Sequence, residues 1–235
     1  MKKNEEFVKC CGGIQPETVK PMNGITELVF IIDRSGSMSG LEADTIGGFN
    51  ATIDAQKEKG GKVYVSTVLF DHESVVLHDR VDIEKIEPMT RKDYQVRGST
   101  ALLDAIGGAM HHIKNVHRYA RAEDVPEHTI FVITTDGMEN ASRTYSKRMI
   151  KDRIRIAQSE RGWEFLFLGA NIDAFEAAEG LGIRRDRAAN YRYDRQGVSE
   201  SYTVMSNAIK CMRDCDADFD LDEMIKGEEK KRVKK

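Results

Sequence analysis

Cysteine and proline are scarce, four of each in 235 residues, and there is a single tryptophan. The cysteines are Cys10, Cys11, Cys211 and Cys215. Met1-Lys2-Lys3 is followed by Asn-Glu-Glu and not by an apolar stretch, so no secretory leader is read there. A cytoplasmic, reducing setting is therefore expected, without disulfides. Long apolar runs are also missing. Leu28–Ile32 and Phe165–Leu168 are far shorter than the ~18–20 residues that span a bilayer, so no membrane span is expected. Nor is there a basic surplus. Thirty-six Lys and Arg against 39 Asp and Glu leave a net charge of −3, which argues against a nucleic-acid partner.

What is present suits one large domain with tails. Hydrophobic residues make up 40% and charged residues 32%, enough for a sizeable core under a solvated surface. Glu27–Ile32, Lys62–Phe70, Thr129–Thr135 and Trp163–Leu168 read as strands, and their continuous apolar character suits a sheet buried on both faces. Ser74–Leu77 returns after Asp71-His72 as a hairpin strand, and Ala188–Tyr191 is a sixth candidate. Between them lie helical stretches. One carries Leu41, Ile46, Phe49 and Ile53 and ends at Gly60-Gly61. A second opens at Ser99-Thr100 and carries Leu103, Ile106, Met110 and Ile113. Met149–Glu160, Asp173–Leu181 and Ser199–Cys215 complete the set. Alternation of this kind implies a doubly wound, mostly parallel α/β sheet of six strands, with one antiparallel edge strand and helices on both faces. The boundaries expected are an N-terminal arm at 1–23, the domain at 24–216, and a charged, disordered tail at 217–235.

In such sheets ligands bind beyond the carboxyl ends of the strands. The first strand runs into Asp33-Arg34-Ser35-Gly36-Ser37, the fourth into Asp136-Gly137, and Thr100 lies in a third loop that reaches the same rim. Two carboxylates and three hydroxyls form a hard, all-oxygen set. It suits Mg²⁺, Mn²⁺ or Ca²⁺, and not zinc or copper.

Asp33-x-Ser35-x-Ser37, the Gly98-Ser99-Thr100 stretch and Thr135-Asp136-Gly137 resemble the metal-ion-dependent adhesion site of the von Willebrand factor type A (vWA) domain. The resemblance covers roughly Thr26–Cys215. It implies the strand order 3-2-1-4-5-6 and a Rossmann-like fold. It also implies a Mg²⁺ ion, with Mn²⁺ and Ca²⁺ left open. Ser35 and Ser37 would bind the metal directly, and Thr100 directly or through water. Asp33 and Asp136 would hold metal-bound waters and orient the hydroxyls. The remaining coordination position would accept an Asp or Glu carboxylate from a partner protein. Intracellular members of this family are often subunits of larger assemblies. The expected function is thus a protein-binding module and not an enzyme. A metal-dependent hydrolase or phosphoryl-transfer enzyme, and a scaffold with a purely structural metal, are the alternatives. Met38, Ser39 and Glu139 flank the site without an assignable role.

Other features have plainer readings. Gly36-Ser37-Met38-Ser39-Gly40 carries Met38 where a G-x-S-x-G nucleophile elbow needs serine. His112 and His117 fall on different helical faces, so with His111 they read as ordinary surface or partly buried histidines. The four cysteines match no common zinc spacing. The acidic stretch Asp214–Glu223 places Glu223 where a calcium loop starting at Asp218 would need glycine, and it reads as a solvated linker. Lys226–Lys235 reads as a solvated basic end.

Overall fold

A computed structural model describes residues 23–214 and 218–233. The expected N-terminal arm, apart from Asn23, and Cys10, Cys11 and Cys215 lie outside the described residues.

Six strands form one sheet in the order β3-β2-β1-β4-β5-β6. They are β1 (Thr26–Asp33), β2 (Val63–Phe70), β3 (Ser74–Asp82), β4 (His128–Thr135), β5 (Glu164–Gly169) and β6 (Ala188–Asn190). β2, β1, β4, β5 and β6 pair in parallel, and β3 pairs antiparallel with β2 at the edge. Every residue of β1 and β4 is buried, and their central runs Leu28–Ile32 and Ile130–Ile133 are wholly apolar, as suits strands covered on both faces. The period-2 alternation of β1 divides its side chains between two cores. Leu28, Phe30 and Ile32 join one cluster, and Val29 and Ile31 join the other.

The first core lies beneath α1 (Glu42–Lys59) and α5 (Arg195–Arg213), where Phe30 meets Phe49 edge-to-face at 5.3 Å. The second lies beneath α2 (Leu102–Tyr119), α3 (Lys147–Arg161) and α4 (Ala174–Leu181), with Phe131 stacked on Phe165 at 4.9 Å. Full burial of a Phe or Leu of this kind contributes about 1.5–3 kcal/mol. Asp173 and Asp194 cap α4 and α5 by accepting amide hydrogen bonds from Phe175, Glu176 and Gly197.

Two elements differ from expectation. β3 continues to Asp82 instead of ending at Leu77. An edge strand needs no apolar run, so its polar second half gives no strand signal. Arg80 adopts a positive φ of 49° there, and its Nε reaches the buried Glu27 carboxylate at 2.8 Å. The second difference is α6 (Leu221–Val233), a helix within the segment 217–235 expected to be disordered. Asp220 caps it through the amides of Asp222 and Glu223, and Leu221 and Ile225, one turn apart, sink into the first core. The buried Arg187 lies over the Phe219 ring at 4.0 Å and donates to the Phe219 carbonyl at 2.5 Å, which fixes the approach to this helix. Among the described residues no helix is long and apolar enough to cross a membrane.

Candidate metal centre

The site is built where β1 and β4, adjacent and parallel, end side by side. Asp33 is the last residue of β1 and is fully buried. Its Oδ1 accepts the Ser35 amide at 2.7 Å, which turns the chain back after one residue, and its Oδ2 accepts the Thr135 hydroxyl from the end of β4 at 2.6 Å. The buried Tyr94 donates to the Asp33 carbonyl at 2.5 Å. Ser35 and Ser37 are thereby aligned with their Oγ atoms 3.0 Å apart, and Ser37 donates to Asp136 Oδ1 at 2.6 Å.

The third loop is fastened to both others. The Gly36 amide donates to Gly98 O at 3.0 Å and the Arg97 amide to Arg34 O at 2.9 Å. On the other side the Thr100 amide donates to Asn140 Oδ1 at 2.9 Å, while the amides of Asn140 and Ala141 return to Thr100 O at 3.0 and 3.2 Å. Gly137 marks the meeting point. A Cβ there would stand 3.2 Å from Thr100 Oγ1 and 3.4 Å from Ser37 Oγ, so glycine permits the close approach of the loops. All five residues singled out in the sequence therefore converge. Thr100 sits in the loop before α2, which begins at Leu102, and not in the helix itself.

The electrostatics are unbalanced. Burial pushes the Asp136 carboxyl up to about 6; the Ser37 hydroxyl opposes this, and the charge of Asp33 adds to it. Burial also raises Asp33, against the hydrogen bonds from Thr135 and Ser35. Asp136 Oδ2 is buried and receives no hydrogen bond from the protein. Two buried carboxylates, one with an unpartnered oxygen, beside paired hydroxyls form a donor set that a hard divalent cation fits.

Several supporting residues carry no motif in the sequence. Asp71, at the end of the β2–β3 hairpin, is fully buried. Its Oδ2 accepts from Arg97 Nε at 2.9 Å and faces Arg34 Nε at 2.8 Å, and its backbone carbonyl accepts the Ala101 amide at 2.7 Å. One carboxylate thus ties the loop of Ser35 to the loop of Thr100. Burial raises its pKa, but the Glu73 amide, Arg97 and Arg34 outweigh burial and hold the carboxyl below its ordinary range. Asp71, His72 and Glu73 bring three ligand atoms within 4.8 Å of one another. Two guanidinium groups already face Asp71, so we read this cluster as a loop fastening. Glu139 caps α2 from outside, accepting the Leu103 amide at 2.9 Å and the Ser142 hydroxyl at 2.8 Å. Tyr193, from the loop between β6 and α5, donates to the Ser37 carbonyl.

The remaining sequence candidates do not gather. His112 pairs with Asp79 at 2.7 Å, His111 meets Asn115, and His117 reaches the buried Glu27 at 2.8 Å. Cys211, the one cysteine among the described residues, is a free thiol. The acidic stretch expected as a linker runs into α6, which caps on Asp220.

No protein-family sequence profile and no curated protein sequence matches this chain. Solved structures do match in shape. The vWF domain of the type V pili tip protein Mfa5 from Porphyromonas gingivalis superposes with a TM-score of 0.54 at 12% identity, over 79% of this chain and 95% of that one. The chain has the von Willebrand factor type A fold. The PilB minor pilin (D319A mutant) from Streptococcus sanguinis gives 0.57 at 12% identity, over 84% of this chain. Manganese-loaded Plasmodium vivax TRAP gives 0.52 at 17% identity, over 75% of this chain and 71% of that one. The vWA-like chain spans 64% of the length of the pilin, so the likeness concerns a fold and not a whole protein.

Proposed function

We propose that this vWA-like chain is a metal-dependent protein-binding module. Ser35, Ser37 and Thr100 would hold a Mg²⁺ ion, in which role Mn²⁺ or Ca²⁺ could serve, and Asp33 and Asp136 would orient the hydroxyls and metal-bound water. The ion supplies a Lewis-acidic position for a partner's Asp or Glu carboxylate. The observation that carries the reading is that the loops bearing these five residues meet, with Ser37 bonded to Asp136 Oδ1 while the buried Oδ2 of the same carboxylate has no partner in the protein. The manganese-loaded state of the TRAP structure supports a divalent ion in this fold.

The five-residue set contains no histidine or cysteine nucleophile, and the reading is a non-enzymatic one in which the chain is a subunit or adaptor of an intracellular assembly. The cytoplasmic setting is part of the proposal. Affinity capture from the source cell's extract, run in Mg²⁺ and in EDTA with Asp33→Ala as a parallel bait, tests it. A partner retained by the wild type in Mg²⁺ alone is expected. Capture indifferent to both metal and mutation contradicts the reading. A metal with a purely structural role would let EDTA lower the melting temperature while capture persisted.

A further inference from the structure

The charged side chains around the rim are largely committed to holding the loops. Arg34 and Arg97 face Asp71, Glu139 caps α2, and Glu42 accepts the Gly40 amide at 2.8 Å. Arg192 meets Glu200 and Glu229 at 3.3 and 3.5 Å. Two large apolar surfaces next to the site are not committed in this way. Met138 follows Gly137, where a Cβ would stand 3.2 Å from Thr100 Oγ1 and 3.4 Å from Ser37 Oγ, and it is 75% exposed. Tyr193 is 40% exposed, and its hydroxyl is anchored on the Ser37 carbonyl. Most large hydrophobic side chains among the described residues are buried, yet Met138 stands in water two residues after Asp136, and Tyr193 stands in water on the loop between β6 and α5, bonded to the loop of Ser37.

We infer that the partner presents its carboxylate next to a bulky apolar side chain, and that Met138 and Tyr193 receive that side chain while the metal takes the acid. This rests on the carboxylate-binding reading above. The chemistry of the two residues fits the task. A methionine thioether is flexible and polarizable, and adapts to aliphatic and aromatic shapes alike. A tyrosine ring offers a large contact area at little entropic cost, and tyrosine is enriched at binding hot spots. Here its far end is already fixed by a hydrogen bond, so less freedom is lost on contact. The cation supplies charge complementarity and the apolar pair supplies selectivity. The occupant is a protein segment in which Asp or Glu adjoins Leu, Ile, Met or Phe.

The test is a titration of the isotopically labelled chain, followed by amide chemical shifts, with two acetylated hexapeptides: Gly-Gly-Leu-Glu-Gly-Gly and Gly-Gly-Gly-Glu-Gly-Gly. In Mg²⁺ the leucine peptide is expected to bind about tenfold more tightly than the glycine peptide, equivalent to about 1.4 kcal/mol. EDTA should abolish both. Met138→Ser and Tyr193→Ala should each bring the ratio between the peptides to about twofold or less, and Tyr193→Phe, which keeps the ring, should preserve more of it. A ratio between peptides is used because it cancels any common loss of metal affinity. Equal, Mg²⁺-dependent binding of the two peptides by the wild type overturns this inference and leaves the carboxylate reading standing. Failure of the Mg²⁺-loaded chain to bind either peptide overturns both.

Discussion

The Ser37 hydroxyl donates a 2.6 Å hydrogen bond to Asp136 Oδ1, joining residues 99 positions apart, while Oδ2 of the same carboxylate stays buried and unpartnered. Ser37 is exposed, and little packing depends on it. Ser37→Ala is therefore expected to weaken Mg²⁺ binding by about 10–100-fold while costing about 1 kcal/mol or less of metal-free stability. Calorimetric metal titration and denaturant unfolding measure the two effects separately.

Asp71 fastens the loops of Ser35 and Thr100 through Arg34 and Arg97. Asp71→Asn keeps the size but leaves the Arg34 guanidinium, 8% exposed, without its counter-charge. A loss of about 3 kcal/mol is expected, with weaker metal binding because the two loops are no longer held in register. Urea unfolding with and without Mg²⁺ checks both. An unchanged midpoint would remove Asp71 from the account.

Much of this was legible in the sequence because the signals are local. The continuous apolar character of β1 and β4 gives buried parallel strands, and Asp33, Ser35 and Ser37 lie within five residues of one another. Asp71, Tyr94, Glu139 and Tyr193 were not legible. Each acts on a loop distant in sequence, through contacts that only the folded chain creates. α6 was hidden for a related reason. Its composition is mostly charged, and its apolar anchors are confined to one face, so its docking depends on the surface that α5 and β6 present.

At the opposite end of β1, some 20 Å from Asp33 at about 3.3 Å per residue, Glu27 is fully buried between Arg80 and His117. Glu27→Gln is expected to cost about 3 kcal/mol by leaving Arg80 uncompensated and to leave Mg²⁺ affinity within about twofold of wild type, since additivity holds for distant sites. This variant separates loss of stability from loss of the site.

Asp104 accepts hydrogen bonds from the amides of Arg143, Thr144 and Tyr145. Burial alone would raise its pKa, but these three amides outweigh it and the carboxyl lies below its ordinary value of 3.8. A carboxyl depressed in the folded state contributes stability that is present above the unfolded pKa and is lost as pH falls through the folded one. Below about pH 4 the wild type should therefore lose stability more steeply than Asp104→Asn. Acid-dependent urea midpoints, compared between the two proteins, check the slope, and parallel curves would exclude this contribution.

The central claim is a divalent ion held at Asp33, Ser35, Ser37, Thr100 and Asp136. The most direct measurement is a Mn²⁺ titration followed by electron paramagnetic resonance, with Mg²⁺ as competitor, on the wild type and on Asp136→Ala. One saturable site is expected in the wild type, displaced by Mg²⁺ and weakened by about 100-fold in the variant. Equal Mn²⁺ uptake by both proteins would contradict it.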